Sequence, residues 1–330
     1  MALPDAAPSR SRAGWIRALR LVVSVGLLVL LVTKIDFEDL VPGNRSLPGT
    51  LAFLLAGIAL MTASIVLAAW RWQKVLEAFE VTVPLRQLVS HYFAGQFVGN
   101  VLPSTVGGDV LRVSRVARDV GARDTAFASV VIERLTGFVA LPLLVLVGFL
   151  IRPDLFGESN AWIALVAAGG TVVILGVILF AAGHPSLAGR FKDHENWMRY
   201  VGAVHVGVDR LRRAPRDAAT VLAAAVGYQL VVVASVYCAV HTIGLLTIPN
   251  GAVLAYVPAV AIVQVLPISV GGLGIREGLL ALLFHPLGAE TGQAVGVGLL
   301  WYALMLISSL PGAPAFAIGH RHRVPVGGEA

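Results

Sequence analysis

The chain has 330 residues, of which 57% are hydrophobic and only 13% charged, and its mean hydropathy is +0.82. A soluble globular chain carries about a quarter charged residues, so these numbers exclude a water-soluble domain pair, a disordered chain, a collagenous repeat and a disulfide scaffold. Uncharged apolar runs of about 18 or more residues recur along the sequence, each long enough to cross a bilayer. The composition is that of an all-α polytopic membrane protein.

The net charge is +6, and of the 25 basic residues only Lys34, Lys74 and Lys192 are lysines. They lie mostly between the apolar runs, without the interleaved aromatics of a nucleic-acid face. That pattern reads as positive-inside loops against anionic headgroups, with no nucleic-acid partner. Cys238 is the only cysteine, which excludes intramolecular disulfides and thiolate metal sites. No cofactor or metal is expected. Arg-over-Lys usage with abundant Ala and Gly points to a GC-rich bacterial genome, and the expected location is the bacterial inner membrane.

In chain order, residues 1–16 form a basic cytoplasmic N-terminus, followed by an integral membrane domain over 17–320. The first apolar stretch, about 19–32, resembles a signal peptide, but Thr33-Lys34-Ile35-Asp36 offers no small-residue cleavage site. It reads as an uncleaved first span with its amino end inside. A second span, about 50–69, closes with Trp70-Arg71-Trp72-Gln73-Lys74, which has the look of an aromatic and basic interface anchor. Further spans fall at about 125–151, 161–183, 217–245 and 291–318. The segment 184–216, with Trp197, Tyr200 and many Arg, reads as a cytoplasmic amphipathic linker. Residues 321–330 are a cytoplasmic tail.

Two apolar segments, about 84–102 and 251–268, break this pattern. If the first crossed fully, Arg112, Arg115, Arg118 and Arg123 would lie outside. If it dips in and returns, all the large basic clusters fall inside. The outside then holds Lys34, Arg45 and Arg152 beside Asp36, Glu38, Asp39, Asp154 and Glu158. The expected topology is six transmembrane helices plus two re-entrant hairpins, with motifs near 84–118 and 251–288 and both termini cytoplasmic.

The two hairpin tips match. Asn100-Val101-Leu102-Pro103-Ser104-Thr105-Val106-Gly107-Gly108 precedes Arg112, and Gln264-Val265-Leu266-Pro267-Ile268-Ser269-Val270-Gly271-Gly272 precedes Arg276. At an offset of 164 residues, seven of twelve positions are identical, and a carboxamide precedes each copy. In the expected topology the elements around the two copies are inverted, and an inverted repeat with broken helices at its centre is a transporter signature.

The chemistry of the motif follows from its residues. Pro103 and Pro267 end the incoming helices. Gly107, Gly108, Gly271 and Gly272 allow bare backbone to approach a ligand. The new half-helices then offer unpaired N–H groups and a positive dipole end to an anion. Arg112 and Arg276, about one turn in, supply guanidinium forks for a phosphate. Glu133-Arg134 lies about nine residues into its span, roughly 13 Å deep at about 1.5 Å per residue. Two readings stand for these charges and for Glu277: a polar pathway in which Glu133 balances Arg112 or Arg276, or a self-compensating ion pair that fixes packing. Asp109 reads first as a helix cap. Asn100 and Gln264 belong to the pathway set, and His91, Gln96 and Asn100 are spaced to share one face.

At these residues the chain resembles the flippase-like transmembrane domain of the lysylphosphatidylglycerol synthase family. The match runs from Leu102-Pro103 through Gly107-Gly108-Asp109 and Arg112, then Glu133-Arg134, then Pro267 through Gly271-Gly272-Leu273-Gly274 with Arg276-Glu277. The resemblance implies translocation of a phospholipid or lipid-linked substrate. In bifunctional members a soluble C-terminal domain aminoacylates phosphatidylglycerol; with some ten residues after the last span, that domain is not expected here, and its activity is not carried over. Three functions remain open: lipid translocation, a membrane-embedded lipid-phosphate transferase using Glu133 or Asp109 as base, and a non-transporting accessory subunit of an envelope-assembly enzyme. No ATPase motif is present.

Overall fold

In hydrocarbon a backbone can satisfy its own polar groups only as helix or closed barrel, and long apolar runs leave helix as the solution here. The computed structural model describes residues 47–101, 107–183, 198–266, 269 and 271–317. Among them are eleven α-helices and no strand: α1 Leu47–Ala78, α2 Leu85–Val101, α3 Gly107–Val120, α4 Arg123–Ile151, α5 Ala161–Gly183, α6 Met198–Arg213, α7 Pro215–Ile243, α8 Asn250–Gln264, α9 Ile275–Phe284, α10 Thr291–Ser309 and α11 Gly312–Ala317. The expected first span, the N-terminal segment 1–16, the tail 321–330, linker residues 184–197 and both motif prolines, Pro103 and Pro267, lie outside the described residues.

Five helices, α1, α4, α5, α7 and α10, are long and apolar enough to cross a membrane. They match the five expected spans that fall on described residues, except that the last, expected over 291–318, ends at Ser309 and is followed by the separate α11. The protein is an all-α membrane protein.

The boundaries of α1 bring a correction. This helix runs 32 residues, about 48 Å at about 1.5 Å per residue, so it outlasts a hydrocarbon core of about 30 Å. Its extension is not an interface anchor: Arg71 and Trp72 are buried. The Trp72 indole donates to Ser129 Oγ at 3.0 Å, tying α1 to α4. Ser64, Ala68, Arg71 and Val75 share the buried face at helical spacing.

Helices α2 and α3 pack on each other as an antiparallel pair. His91 meets Asp119 at 2.8 Å near their far ends, and Gly108 lies against the Gly95 carbonyl near the tip, with no room for a side chain between the backbones. His91 therefore faces α3 rather than sharing a cavity face with Gln96 and Asn100. Helices α8 and α9 form the second pair. The turn between them carries Gly271, Gly272 and Gly274 at φ of 62°, 75° and 82°, which only glycine adopts readily. These left-handed residues delay α9 to Ile275, so Arg276 sits in its first turn, whereas Arg112 is already in the second turn of α3.

The larger core is built from α4, α7, α8, α9 and α10 around Phe149, Tyr256, Phe284 and Trp301. A second gathers Trp72, Leu88 and Tyr92 from α1 and α2. The described part of the basic linker, α6, is a helix that docks on the bundle. Val208 packs with Val75 and Ile132, while Arg210 donates to the Ala78 carbonyl at 3.4 Å and Arg212 to that of Leu179 at 3.2 Å. Ala78 is the last residue of α1, where backbone carbonyls lack intrahelical partners.

Close packing of α4 on α8 gives a direct test of the fold. A Cβ on Gly148 would lie 2.7 Å from Ala255 Cα, whereas Gly169 on α5 faces open space. Gly148→Val is expected to cost about 1–3 kcal/mol, read as a lowered Tm in detergent, and Gly169→Val to leave Tm within error.

Candidate functional site

An ionised carboxylate in a low-dielectric interior persists only when paired and hydrogen-bonded. Glu133, fully buried at the middle of α4, meets that demand with groups from three other helices. Its Oε1 accepts from Arg71 of α1 and, at 3.3 Å, from the Tyr92 hydroxyl of α2. Its Oε2 accepts from Arg112 of α3 at 3.1 Å. Arg112 also donates to Asp109 Oδ1 at 3.2 Å, and Arg134 donates to the same oxygen at 2.8 Å. Asp109 is thus a bridge between two guanidiniums rather than only a cap.

Aromatic faces complete the shell. The Arg112 guanidinium lies 4.0 Å from the Tyr92 ring and 4.3 Å from that of Trp72, and Arg71 lies 5.0 Å from Tyr228. Such stacking favours a desolvated guanidinium. Glycines make the space: a side chain on Gly95 would strike Arg112 Cγ, and one on Gly137 would crowd Arg71 Nη1.

The cluster opens on a cavity of about 260 Å³ whose wall includes Arg71, Arg112, Arg134, Asp109, Asn100 and Gln264. Gly108 from the first tip and Gly271 from the second also reach it. Both motif carboxamides therefore serve one space. Asn100 is anchored, donating to the Met305 carbonyl at 3.2 Å, while the buried Gln264 Oε1 has no hydrogen-bond partner. Gly107 opens α3 beside this wall, and Gly272 packs on the Gln264 side chain.

The charge count is uneven. Three arginines (Arg71, Arg112, Arg134) meet two carboxylates (Glu133, Asp109), which leaves one formal positive charge at the wall. Arg71 Nε and Nη1 and Arg112 Nε are buried without a hydrogen-bond partner. Unmade hydrogen bonds from a buried charged donor are costly.

The second arginine has a different surrounding. Arg276 is fully buried and off this cavity wall, with Nη2 and Nε donating to Glu277 Oε1 at 2.7 and 3.1 Å. Its guanidinium lies 5.6 Å from the Trp301 ring and 5.2 Å from that of Tyr302. Glu277 Oε2 accepts from the Gly274 N–H at 2.6 Å, which closes the glycine turn. Glu133 therefore balances Arg112 and not Arg276. The reason is local: Glu277 follows Arg276, whereas Val113 follows Arg112.

Sequence reasoning missed Arg71, Tyr92 and Tyr228. For Arg71 the signal was present, because it falls seven residues after the buried Ser64 on the same helical stripe. The neighbouring Trp70 and Lys74 suggested an interface instead.

The family described as the lysylphosphatidylglycerol synthase TM region matches residues 17–312. Among curated proteins, the UPF0104 membrane protein PH1989 of Pyrococcus horikoshii is 23% identical over 164 residues, 49% of this chain and 47% of that protein. The chain thus matches about half the length of this relative. With nearly its whole length matched, the chain belongs to the lysylphosphatidylglycerol synthase membrane-region family.

Removing one member of a buried ion pair strands its partner, at about 3–5 kcal/mol, while replacing both is often neutral. Arg276→Leu and Glu277→Leu are each expected to destabilise strongly. The double variant is expected to lose clearly less than the sum, as read by Tm in detergent across the four-member cycle.

Proposed function

We propose that this member of the lysylphosphatidylglycerol synthase membrane-region family moves an anionic, phosphate-bearing lipid across the bacterial cytoplasmic membrane, the headgroup passing through the cavity between the two hairpins. The observation that carries the reading is the excess positive charge of Arg71, Arg112 and Arg134 over Glu133 and Asp109 at one wall. Arginine forks match phosphate oxygens in planar geometry, and ionisable residues inside a membrane domain mark substrate pathways. The repeated tips, Gly107-Gly108 and Gly271-Gly272 with their preceding carboxamides, support two related access routes to one polar space.

Arg112, Arg71 and Arg134 hold the phosphate, Asn100 and Gln264 contact the rest of the headgroup, and Glu133 keeps the arginines in register. Arg276 and Glu277 position the second tip. Both oxygens of Glu133 are committed to guanidinium groups, which favours a scaffold role over that of a catalytic base. On this reading the chain carries out no covalent chemistry, and its termini face the cytoplasm with the basic segments.

Proteoliposomes carrying headgroup-labelled phosphatidylglycerol or phosphatidylcholine and a membrane-impermeant quencher test the proposal. Protein-dependent flipping of the anionic lipid is expected. Arg134→Gln, at a half-exposed position, removes a charge-assisted contact of about 1.5–3 kcal/mol, so flipping is expected to slow about tenfold or more. Wild-type rates in this folded variant, or no flipping of either lipid with an ion gradient supplied, would overturn it.

A further inference from the structure

A second hollow lies against the first. Between α3 and α4 runs a trough of about 960 Å³, and Asp109, Arg134 and Phe138 line both spaces. Its sides are apolar, with Val113 and Ala117 from α3 and Phe127, Val131 and Leu135 from α4. One end, beside the Gly121 turn, carries the exposed Arg118 and Arg123. The other end stops at the Asp109–Arg134 ion pair of 2.8 Å. From Arg123 to Arg134 is eleven residues of helix, about 16 Å.

An apolar trough with cations at the helix–helix turn and a salt bridge at the far end fits one kind of occupant. We infer that the α3–α4 trough is a docking site for an anionic phospholipid, its phosphate between Arg118 and Arg123 and an acyl chain lying along Val113, Ala117, Phe127 and Val131. The orientation follows from charge. A headgroup anion belongs with the exposed arginines, and the chain belongs with the apolar sides. The Asp109–Arg134 pair then stands as the partition between the docked lipid and the headgroup cavity. Movement of the phosphate from Arg118/Arg123 to Arg134 exchanges one guanidinium partner for another and displaces Asp109. The purpose of the site rests on the translocation reading; its occupancy rests on the trough alone.

The test is photocrosslinking in phosphatidylcholine nanodiscs, using phosphatidylglycerol or phosphatidylcholine probes with a diazirine on the acyl chain. Adducts are mapped by mass spectrometry. The phosphatidylglycerol probe is expected to label residues 110–138 several-fold more than the phosphatidylcholine probe. Ala117→Trp fills the trough and is expected to remove that labelling. Because this change sits in a helix contact, Arg118→Gln/Arg123→Gln at exposed positions is the second variant, and it is expected to lower phosphatidylglycerol labelling to the phosphatidylcholine level. Equal labelling by both probes, spread over the exposed face of α5 as over α3 and α4, would overturn the site, as would unchanged labelling in the double arginine variant. Lipid docking here with no flipping in proteoliposomes would defeat the translocation reading and leave the docking site standing.

Discussion

Glu133 is the charge on which the membrane domain is organised. A carboxylate at full burial is stable only with its lone pairs occupied, and this one draws Arg71, Tyr92 and Arg112 from three different helices onto the fourth. Those contacts fix how α1 and the α2–α3 hairpin sit on α4. The Glu133–Arg112 ion pair joins the hairpin to α4, and the close approach of Gly95 and Gly108 joins its two helices.

The same arrangement explains why the site has a net charge. Two arginines on one carboxylate leave an excess of one positive charge, Asp109 cancels it, and Arg134 restores it. The second hairpin resolves its arginine differently: Arg276 and Glu277 neutralise each other, and the pair closes a glycine turn rather than facing the cavity. Two tips with nearly the same motif thus do unlike jobs. One presents charge to the cavity, while the other presents backbone and the Gln264 carboxamide.

Much of this was legible in the residues. Five spans appear where apolar runs of sufficient length stood, because length and hydropathy alone set them. Glu133 stood out because a charge within an apolar run needs a partner, and Arg112 because an arginine closes both copies of the repeated motif. The difference between the tips was also written in the sequence, since Asp109 and Val113 are replaced by Leu273 and Glu277 at the same offset; the identities drew attention away from those positions. Arg71 was hidden for another reason. Its immediate neighbours match an interface pattern, and only the helical stripe from Ser64 through Ala68 reveals the buried face. The docking of α6 depends on carbonyls at the ends of α1 and α5, which no local pattern in the linker discloses.

The most direct measurement of the central claim, that the excess guanidinium charge holds one lipid phosphate, is native mass spectrometry of the chain released from mixed phosphatidylglycerol and phosphatidylcholine micelles. With the trough arginines already removed (Arg118→Gln/Arg123→Gln), the account predicts retention of phosphatidylglycerol over phosphatidylcholine, with the preference lost when Arg71→Gln/Arg134→Gln is added. The contrary result would be equal retention of the two lipids in the Arg118→Gln/Arg123→Gln background, or an anionic preference that survives the further loss of Arg71 and Arg134.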